Sequence, residues 1–526
     1  MPIPSTPTAP KPKSFLINVL WSWVGVAANI FTGFVLTRYI IRGLGEERYG
    51  IWALTFSLIE YVFLFDLGFR SAIVAFVSRR RAQGDLQGVN RVLSTALAYF
   101  FVAAGLVMVL TLVLSKKSLL LFRIRHEFEG DFVFLISLVG FTFAIGFIAS
   151  VFQAALEASQ NFRIYSQIMV LVQVLRSGGS AASLYFGYGL REMGLVVVGS
   201  QCLGYTLMFL AFRRSSPEVK LSRESVQWET WKQLASFGVS SLTLSVSTLF
   251  FYQGTPVLIG HYLSEAAVGY YTMPARMLQS IVDGVSRIGY VTVPKASELL
   301  ALGQTAQITK LAIYTNRYAL ALFMPITMFL MVYGRELLGI WLGPLFAQES
   351  APLIPVLVGA MAFALAAQMN SGMILVGMGV HRLYSWLLMS ESALLMVGVS
   401  LVLQAYGIFG AACVAAALMV ISRGLITPMM VCYHLKANYF RFMSSIYAQP
   451  LGTALPVGVG VWWLKQTGLV TGRNWLELVG MGGGISLVYL SLCYLTVLDA
   501  EHRVLFRRML LARLPRQLTL AGRPRA

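Results

Sequence analysis

The chain has 526 residues, 57% of them hydrophobic and only 12% charged, with 41 Lys and Arg against 22 Asp and Glu for a net charge of +19. Its mean hydropathy is +0.71. These values exclude a string of soluble domains and a disordered chain, and predict an all-α, polytopic membrane protein.

Residues 1–14 form a Pro-rich leader, Pro2 to Pro12, expected to be disordered and cytoplasmic. The apolar stretch after it is too long for the core of a cleavable signal. From there, runs of roughly 20 mainly apolar residues recur, each able to cross a hydrocarbon layer of about 30 Å as a helix with its backbone bonded internally. About fourteen transmembrane helices are predicted, near 15–40, 51–77, 92–114, 132–156, 165–187, 193–212, 236–262, 270–293, 311–333, 352–377, 383–405, 407–433, 445–464 and 474–498.

The first six spans recur in the next six at an offset of 219. Leu44, Glu46, Gly50 and Trp52 are matched by Leu263, Glu265, Gly269 and Tyr271; Arg163-Ile164-Tyr165-Ser166 is matched by Arg382-Leu383-Tyr384-Ser385. Tyr188-Gly189-Leu190 lies one residue out of step with Tyr406-Gly407-Ile408. Internal repeats of this kind are a recurrent architecture of transporters. The expected plan is two pseudo-symmetric six-helix lobes, 15–212 and 236–433, followed by two further helices in 434–498 and a basic tail, 499–526. Residues 213–235 connect the lobes. Trp228, Trp231 and Leu234 stand three apart there among charged residues, as on an amphipathic helix lying in the membrane surface.

Lys and Arg follow loop parity. With the N-terminus in the cytoplasm, roughly 24 fall on that side and about 11 outside, so both termini are expected to be cytoplasmic. Topology accounts for the charge better than a nucleic-acid surface does, and the tail also suits anionic lipid. The inter-span loops are too short for a catalytic domain and carry no nucleophile elbow or phosphate-binding Gly loop. Cys202, Cys413, Cys432 and Cys493 lack paired spacing, and the five His are scattered near helix ends. No catalytic residue, metal site or cofactor is expected.

Charges inside spans carry the functional information, because each costs about 2.5 to 3.5 kcal/mol at a helix centre and tends to face a cavity or a partner. They are Arg38, Glu60, Asp66, Arg70, Arg176, Arg276, Asp283, Arg287, Arg317, Glu391 and Arg423. The repeat separates them from the scaffold: Arg38 corresponds to Val257, Glu60 to Gln279, Asp66 to Val285, Arg70 to Gly289, Asp283 to Leu64, Arg287 to Gly68, Arg317 to Ala98 and Glu391 to Val172. Arg276, Asp283 and Arg287, spaced 7 and 4 apart, share a narrow helical stripe. Asp66 and Arg70 stand at i and i+4, where they can pair. Arg38, Arg276 and Arg317 have no carboxylate nearby in sequence, which suits an anion, although Arg38 and Arg317 are also placed to snorkel from span ends. A guanidinium fork matches phosphate oxygens, so the excess of Arg predicts an anionic cargo such as a pyrophosphate head.

The run Asn18-Val19-Leu20-Trp21-Ser22 through Thr37-Arg38-Tyr39, then Leu44 to Trp52, Phe65-Asp66-Leu67-Gly68 with Arg70, and Tyr406-Gly407-Ile408-Phe409-Gly410-Ala411-Ala412 carry a resemblance. The chain resembles the bacterial polysaccharide flippases of the O-antigen (Wzx) type, within the multidrug, oligosaccharidyl-lipid and polysaccharide exporter superfamily. The resemblance extends over about 15–498. It implies two lobes around a cavity opening alternately to each side, carrying a lipid-linked, polyprenyl-pyrophosphate oligosaccharide from the cytoplasmic to the outer leaflet of the bacterial inner membrane. It also implies partners in a polysaccharide polymerase and a chain-length regulator, besides membrane lipid. Arg38 and Arg70 occupy family-like positions; Arg276 and Arg287 follow from the stripe. Glu60, Asp66, Asp283 and Glu391, with the more peripheral Glu157, are the candidates for coupling to H+ or Na+, unless the membrane potential alone drives the anion. The alternatives are a lipid II flippase, a cation-coupled multidrug exporter and a non-transporting assembly scaffold.

Overall fold

The computed structural model describes residues 37–61, 66, 68–122, 124–159, 162–378 and 380–504, and among them the backbone is almost wholly helical, without a strand. The leader, most of the first span and the end of the basic tail lie outside the described residues, as do the side chains of Glu60, Asp283 and Arg287. A helical segment at 37–44 precedes α1 (Glu46–Glu60), α2 (Phe69–Ala82), α3 (Leu86–Leu121), α4 (Glu129–Ala158), α5 (Phe162–Tyr185) and α6 (Leu190–Ser215). Then follow α7 (Trp228–Tyr262), α8 (Glu265–Ala301), α9 (Thr305–Trp341), the short α10 (Pro344–Glu349), α11 (Leu353–Gly377), α12 (His381–Leu418), a π-helical turn (Met419–Ile426), α13 (Thr427–Leu435), α14 (Tyr439–Gln466) and α15 (Trp475–Thr496).

The duplication is visible in these boundaries. Helices start at 46 and 265, at 86 and 305, and at 162 and 381; α4 and α11 end at 158 and 377. Each pair differs by 219, the offset of the sequence matches. Packing repeats as well: α3 lies on α4 as α9 lies on α11, and α4 lies on α6 as α11 lies on the π turn and α13.

One place breaks the repeat. The second span was expected to run unbroken over 51–77, but α1 stops at Glu60 and α2 begins at Phe69, after Gly68 in the left-handed region at φ 70°. A left-handed residue ends an α-helix, and glycine adopts that conformation without the Cβ clash. The Asp66 carboxylate then accepts the backbone N–H groups of Gly68 and Arg70, serving the donors that a new helix start leaves open. In the other copy these positions are Val285 and Arg287, which offer neither acceptor nor glycine, and α8 continues for 37 residues.

The connection 213–235 also differs from expectation. Trp228 to Leu234 form the first two turns of α7 and continue into its span; they are not a separate surface helix. Prolines are absorbed within helices, among them Pro256 in α7, Pro325 in α9, and Pro450 and Pro456 in α14. Before Pro428 the chain relaxes into the π turn, where Thr427 Oγ1 donates to the Ser422 carbonyl at 2.9 Å, a common way to absorb a missing backbone donor. Gly407, at φ 57°, marks the turn between the two spans that α12 joins.

By contact the chain divides into two units, Met1–Met273 with Leu388–Ala411, and Pro274–Leu387 with Ala412–Ala526. The core of the first is aromatic and small-residue packing among α2, α3, α4, α6 and the start of α7: Phe69 stacks on Tyr99 at 4.2 Å and Phe100 on Phe147 at 5.6 Å. Glycines let helices close together, as at Gly194 against Leu135 and Gly204 against Val172 in the first unit, and Gly334 against Ile354 in the second. Large apolar side chains face outward on α3 (Val102, Val109), α14 (Leu455, Val459) and α15 (Val479, Leu487), which water would penalise and lipid accepts. Among the described residues, six stretches are long and apolar enough to cross a bilayer: Leu86–Ser115, His126–Ala158, Leu190–Ser215, Thr305–Trp341, Arg382–Leu435 and Trp475–Thr496.

Candidate functional site

Among the cations expected from the sequence, Arg70 has an ion pair to a neighbouring helix. It stands in the first turn of α2, and its Nη2 meets Glu157 Oε1 of α4 at 2.5 Å. With the Gln153 amide turned so that Oε1 faces them, that oxygen accepts from Arg70 Nη2 and from the Tyr165 hydroxyl of α5, each at 2.6 Å. Three helices thus fix one guanidinium, yet its side chain keeps 42% exposure against 18% for Glu157. The expected partnership of Asp66 with Arg70 takes another form. Their charges are neighbours, but Asp66 lies within the helix break and holds Arg70 by its backbone N–H, while the guanidinium goes to Glu157.

The other expected residues divide by environment. Arg38 is half-buried on the 37–44 segment, in the first unit; Arg276 is exposed on α8, in the second. Glu391 is buried in the first unit. Arg317, expected to be without a carboxylate, has one in the second unit: Nε donates to the Ser445 carbonyl at 2.7 Å, Nη1 lies 3.4 Å from Asp499 Oδ1, and the guanidinium sits over the Tyr314 ring. Tyr318 and His502 Nδ1 share a hydrogen bond of 2.7 Å beside it. Arg317 therefore ties the chain after α15 to α9 and α14. Glu60, Asp283 and Arg287 lie outside the described side chains.

A second constellation joins the two sequence copies within the first unit. A Cβ placed on Gly50 of α1 would fall 1.8 Å from the Glu265 carbonyl oxygen at the start of α8. In the other copy, a Cβ placed on Gly269 would lie 3.3 Å from the Tyr49 ring, 3.5 Å from the Glu46 carbonyl oxygen and 3.6 Å from Gly50 Cα. Residue 50 meets 265, and 269 meets 46. With 265 and 269 the 219-shifted images of 46 and 50, the contact is isologous, the same patch used from both sides. Around the crossing, Tyr270 donates to the Glu46 carboxylate. Arg125, from the loop before α4, reaches Glu47 at 2.7 Å, Glu265 at 3.6 Å and Glu127 at 3.7 Å. Burial pushes the Glu265 carboxyl above the usual carboxylate range, opposed by Arg125 and reinforced by Glu47 and Glu127.

Chemically, Arg70 is a pre-positioned cation whose counter-charge is a separate side chain able to yield it, and the Gly50–Gly269 crossing is a small-residue contact with a polar clasp. Glu157 was legible only as a peripheral carboxylate and Gln153 not at all; their i, i+4 spacing near the end of a span was the available signal. The clasp residue Arg125 lies in a loop and carries no local signature.

A family model described as polysaccharide biosynthesis protein matches residues 40–350. Among curated proteins, the chain is similar to a Shigella flexneri protein named as an O-antigen transporter, 19% identical over 406 residues, covering 76% of this chain and 93% of that one. It is also similar to the uncharacterized membrane protein EpsK of Bacillus subtilis, 22% identical over 516 residues, covering 93% and 97%. Among solved structures, the lipid II flippase MurJ in an inward closed conformation matches with TM-score 0.69 and 13% identity over 90% of this chain and 99% of that one. An inward-facing multidrug transporter of the MATE family, in the MOP superfamily, matches with TM-score 0.65 and 13% identity over 77% and 94%.

Proposed function

Because the chain belongs to the polysaccharide biosynthesis protein family, a membrane transporter family here carried on a MOP-superfamily fold, we propose that it flips a polyprenyl-pyrophosphate-linked oligosaccharide from the cytoplasmic to the outer leaflet of the inner membrane. The observation that carries this reading is the Arg70 guanidinium, held by Glu157 and Gln153 inside the helices and still 42% exposed. A pyrophosphate offers paired oxygens to such a fork, and a fixed guanidinium loses little freedom on binding it. Arg38, in the same unit as Arg70, is proposed as a further cation for that head, and Arg276 and Arg287 are proposed separately from the stripe they share in sequence, with the polyprenyl tail in lipid.

Alternating access supplies the movement. In the proposed topology the Gly50–Gly269 crossing lies on the outer side, and we propose that its opening and closing gates that side. Anionic cargo competes with Glu157 for Arg70, which makes the Arg70–Glu157 pair the proposed point of coupling. A cargo that binds the two states unequally shifts their populations by that difference alone.

The test is translocation of a fluorescent lipid-linked oligosaccharide in proteoliposomes. Neutralising Arg70, Arg276 or Arg287 to Gln is expected to slow transport by about 10- to 100-fold, as for a lost charged hydrogen bond, while each variant stays folded by circular dichroism. Transport at the wild-type rate in both Arg276→Gln and Arg287→Gln overturns the cationic cavity. The likeness to a lipid II flippase favours a second cargo of the same chemical class; competition between lipid II and the oligosaccharide lipid in the same vesicles separates them.

A further inference from the structure

A cavity of about 140 Å³ lies in the first unit, outside the Arg70 constellation, where α2, α3 and the start of α7 meet. Its apolar floor includes Val92 and Leu234, both buried. Arg80 and Arg91 line it, with Gln227, Thr230 and Gln233 adding polar groups. The space exceeds by far the roughly 10–15 Å³ that one ordered water needs.

The cavity is built by the fold. The segment leading into α7 is pinned along α3: the Lys220 N–H donates to Asn90 Oδ1 at 3.1 Å, the Ser222 N–H to Ser94 Oγ at 3.2 Å and the Gln227 N–H to Thr95 Oγ1 at 3.1 Å. One carboxylate serves both guanidiniums. Asp85 Oδ2 lies 2.9 Å from Arg80 and 4.0 Å from Arg91, while Oδ1 already accepts the Gly88 N–H at 2.7 Å. Glu229, also on the lining, is mostly exposed and is matched by Lys232 at 3.6 Å. One positive charge is left over, on two forks each roughly 40% exposed.

What stands beside the cavity indicates the source of the anion. Trp228 is 65% exposed and stacks on Trp231 at 4.4 Å with ring planes 7° apart. A stacked indole pair with its outer ring exposed and its inner ring, Trp231, packed against the core at the start of a membrane helix belongs at the headgroup level, where apolar ring and polar N–H are both accommodated. We propose that the Arg80–Arg91 cavity binds the phosphate of an anionic membrane lipid, with the Trp228–Trp231 pair lying against the acyl boundary of the same lipid. The site is independent of the transported cargo, and it fixes the junction of α2, α3 and α7 to one leaflet.

The experiment compares the full chain in nanodiscs of zwitterionic phospholipid alone and with about a third phosphatidylglycerol, reading melting temperature and the lipids retained in native mass spectrometry. Wild type is expected to melt higher with phosphatidylglycerol and to retain it. Arg80→Gln/Arg91→Gln is expected to lose at least ten-fold in retention; Arg91→Gln alone, which keeps the Arg80–Asp85 pair and so the local fold, is expected to lose several-fold. Trp228→Ala is expected to weaken lipid retention while leaving any response to inorganic phosphate in detergent unchanged. Equal phosphatidylglycerol retention in wild type, Arg91→Gln and the double variant overturns the proposal. So does a melting shift produced by millimolar inorganic phosphate and not by the lipid, which would assign the cavity to the free anion.

Discussion

At the same place in its two copies the chain builds a broken helix and an unbroken one. In the first, Gly68 turns left-handed, Asp66 receives the open N–H groups, and Arg70 emerges from the new start to meet Glu157. In the second, Val285, Arg287 and Gly289 fall at those positions and α8 runs from Glu265 to Ala301. The scaffold is shared while the chemistry is local. A break exposes backbone donors and redirects a side chain, so a few substitutions separate a continuous helix from one whose first turn presents a guanidinium.

The comparison can be broken first at the crossing. Gly50→Ala brings a Cβ onto a backbone oxygen, whereas the equivalent Gly269→Ala meets its neighbours near ordinary contact distance. Overpacking against backbone costs about 1–3 kcal/mol, so thermal unfolding should show a large loss for Gly50→Ala and a small one for Gly269→Ala. Equal losses would mean the crossing is not held as described. Next in size is the Arg70–Glu157 pair. A double-mutant cycle of Arg70→Gln and Glu157→Gln, read by denaturant or thermal unfolding, should give a coupling of about 1 kcal/mol, reduced from the buried-pair range by the solvent reaching Arg70. No coupling would leave Arg70 without its organising partner.

At the break, Asp66→Ala should cost about 1 kcal/mol and Asp66→Asn only a fraction of that, because Asn keeps the accepting oxygen. Melting temperatures of the two variants check it, and equal losses would assign Asp66 a charge role in place of capping. The smallest effect concerns Glu265. Its carboxyl titrates above the ordinary range because burial favours the neutral form, so its contribution to the fold is complete in acid and is lost as pH rises through its raised value. Glu265→Gln should flatten that dependence in a pH series of melting temperatures; an unchanged slope would move the titration elsewhere.

Much of this architecture was legible in the amino-acid order. Helix starts at 46 and 265, 86 and 305, and 162 and 381 follow the offset read from Leu44 to Trp52 and Leu263 to Tyr271, because repeated apolar periodicity and loop residues report repeated helices. The break at Gly68 was hidden, since glycine in a membrane span more often serves packing than a left-handed turn. Arg317 looked unpartnered because its carboxylate, Asp499, lies 182 residues away. Arg125 reaches Glu47 and Glu265 from a loop whose position only tertiary packing sets.

In the proposed transport cycle the two copies close and open at Gly50 and Gly269. The most direct test places cysteines at Glu46 and Tyr270, whose side chains meet end to end at the crossing, in a chain with Cys202, Cys413, Cys432 and Cys493 replaced by Ser or Ala, bridges them with a short reducible bis-maleimide in place of a direct disulfide, and follows oligosaccharide-lipid translocation in proteoliposomes. Cross-linked protein should move no cargo and should recover its rate when the linker is reduced. Transport by the locked protein at the reduced rate would contradict alternating access through this contact.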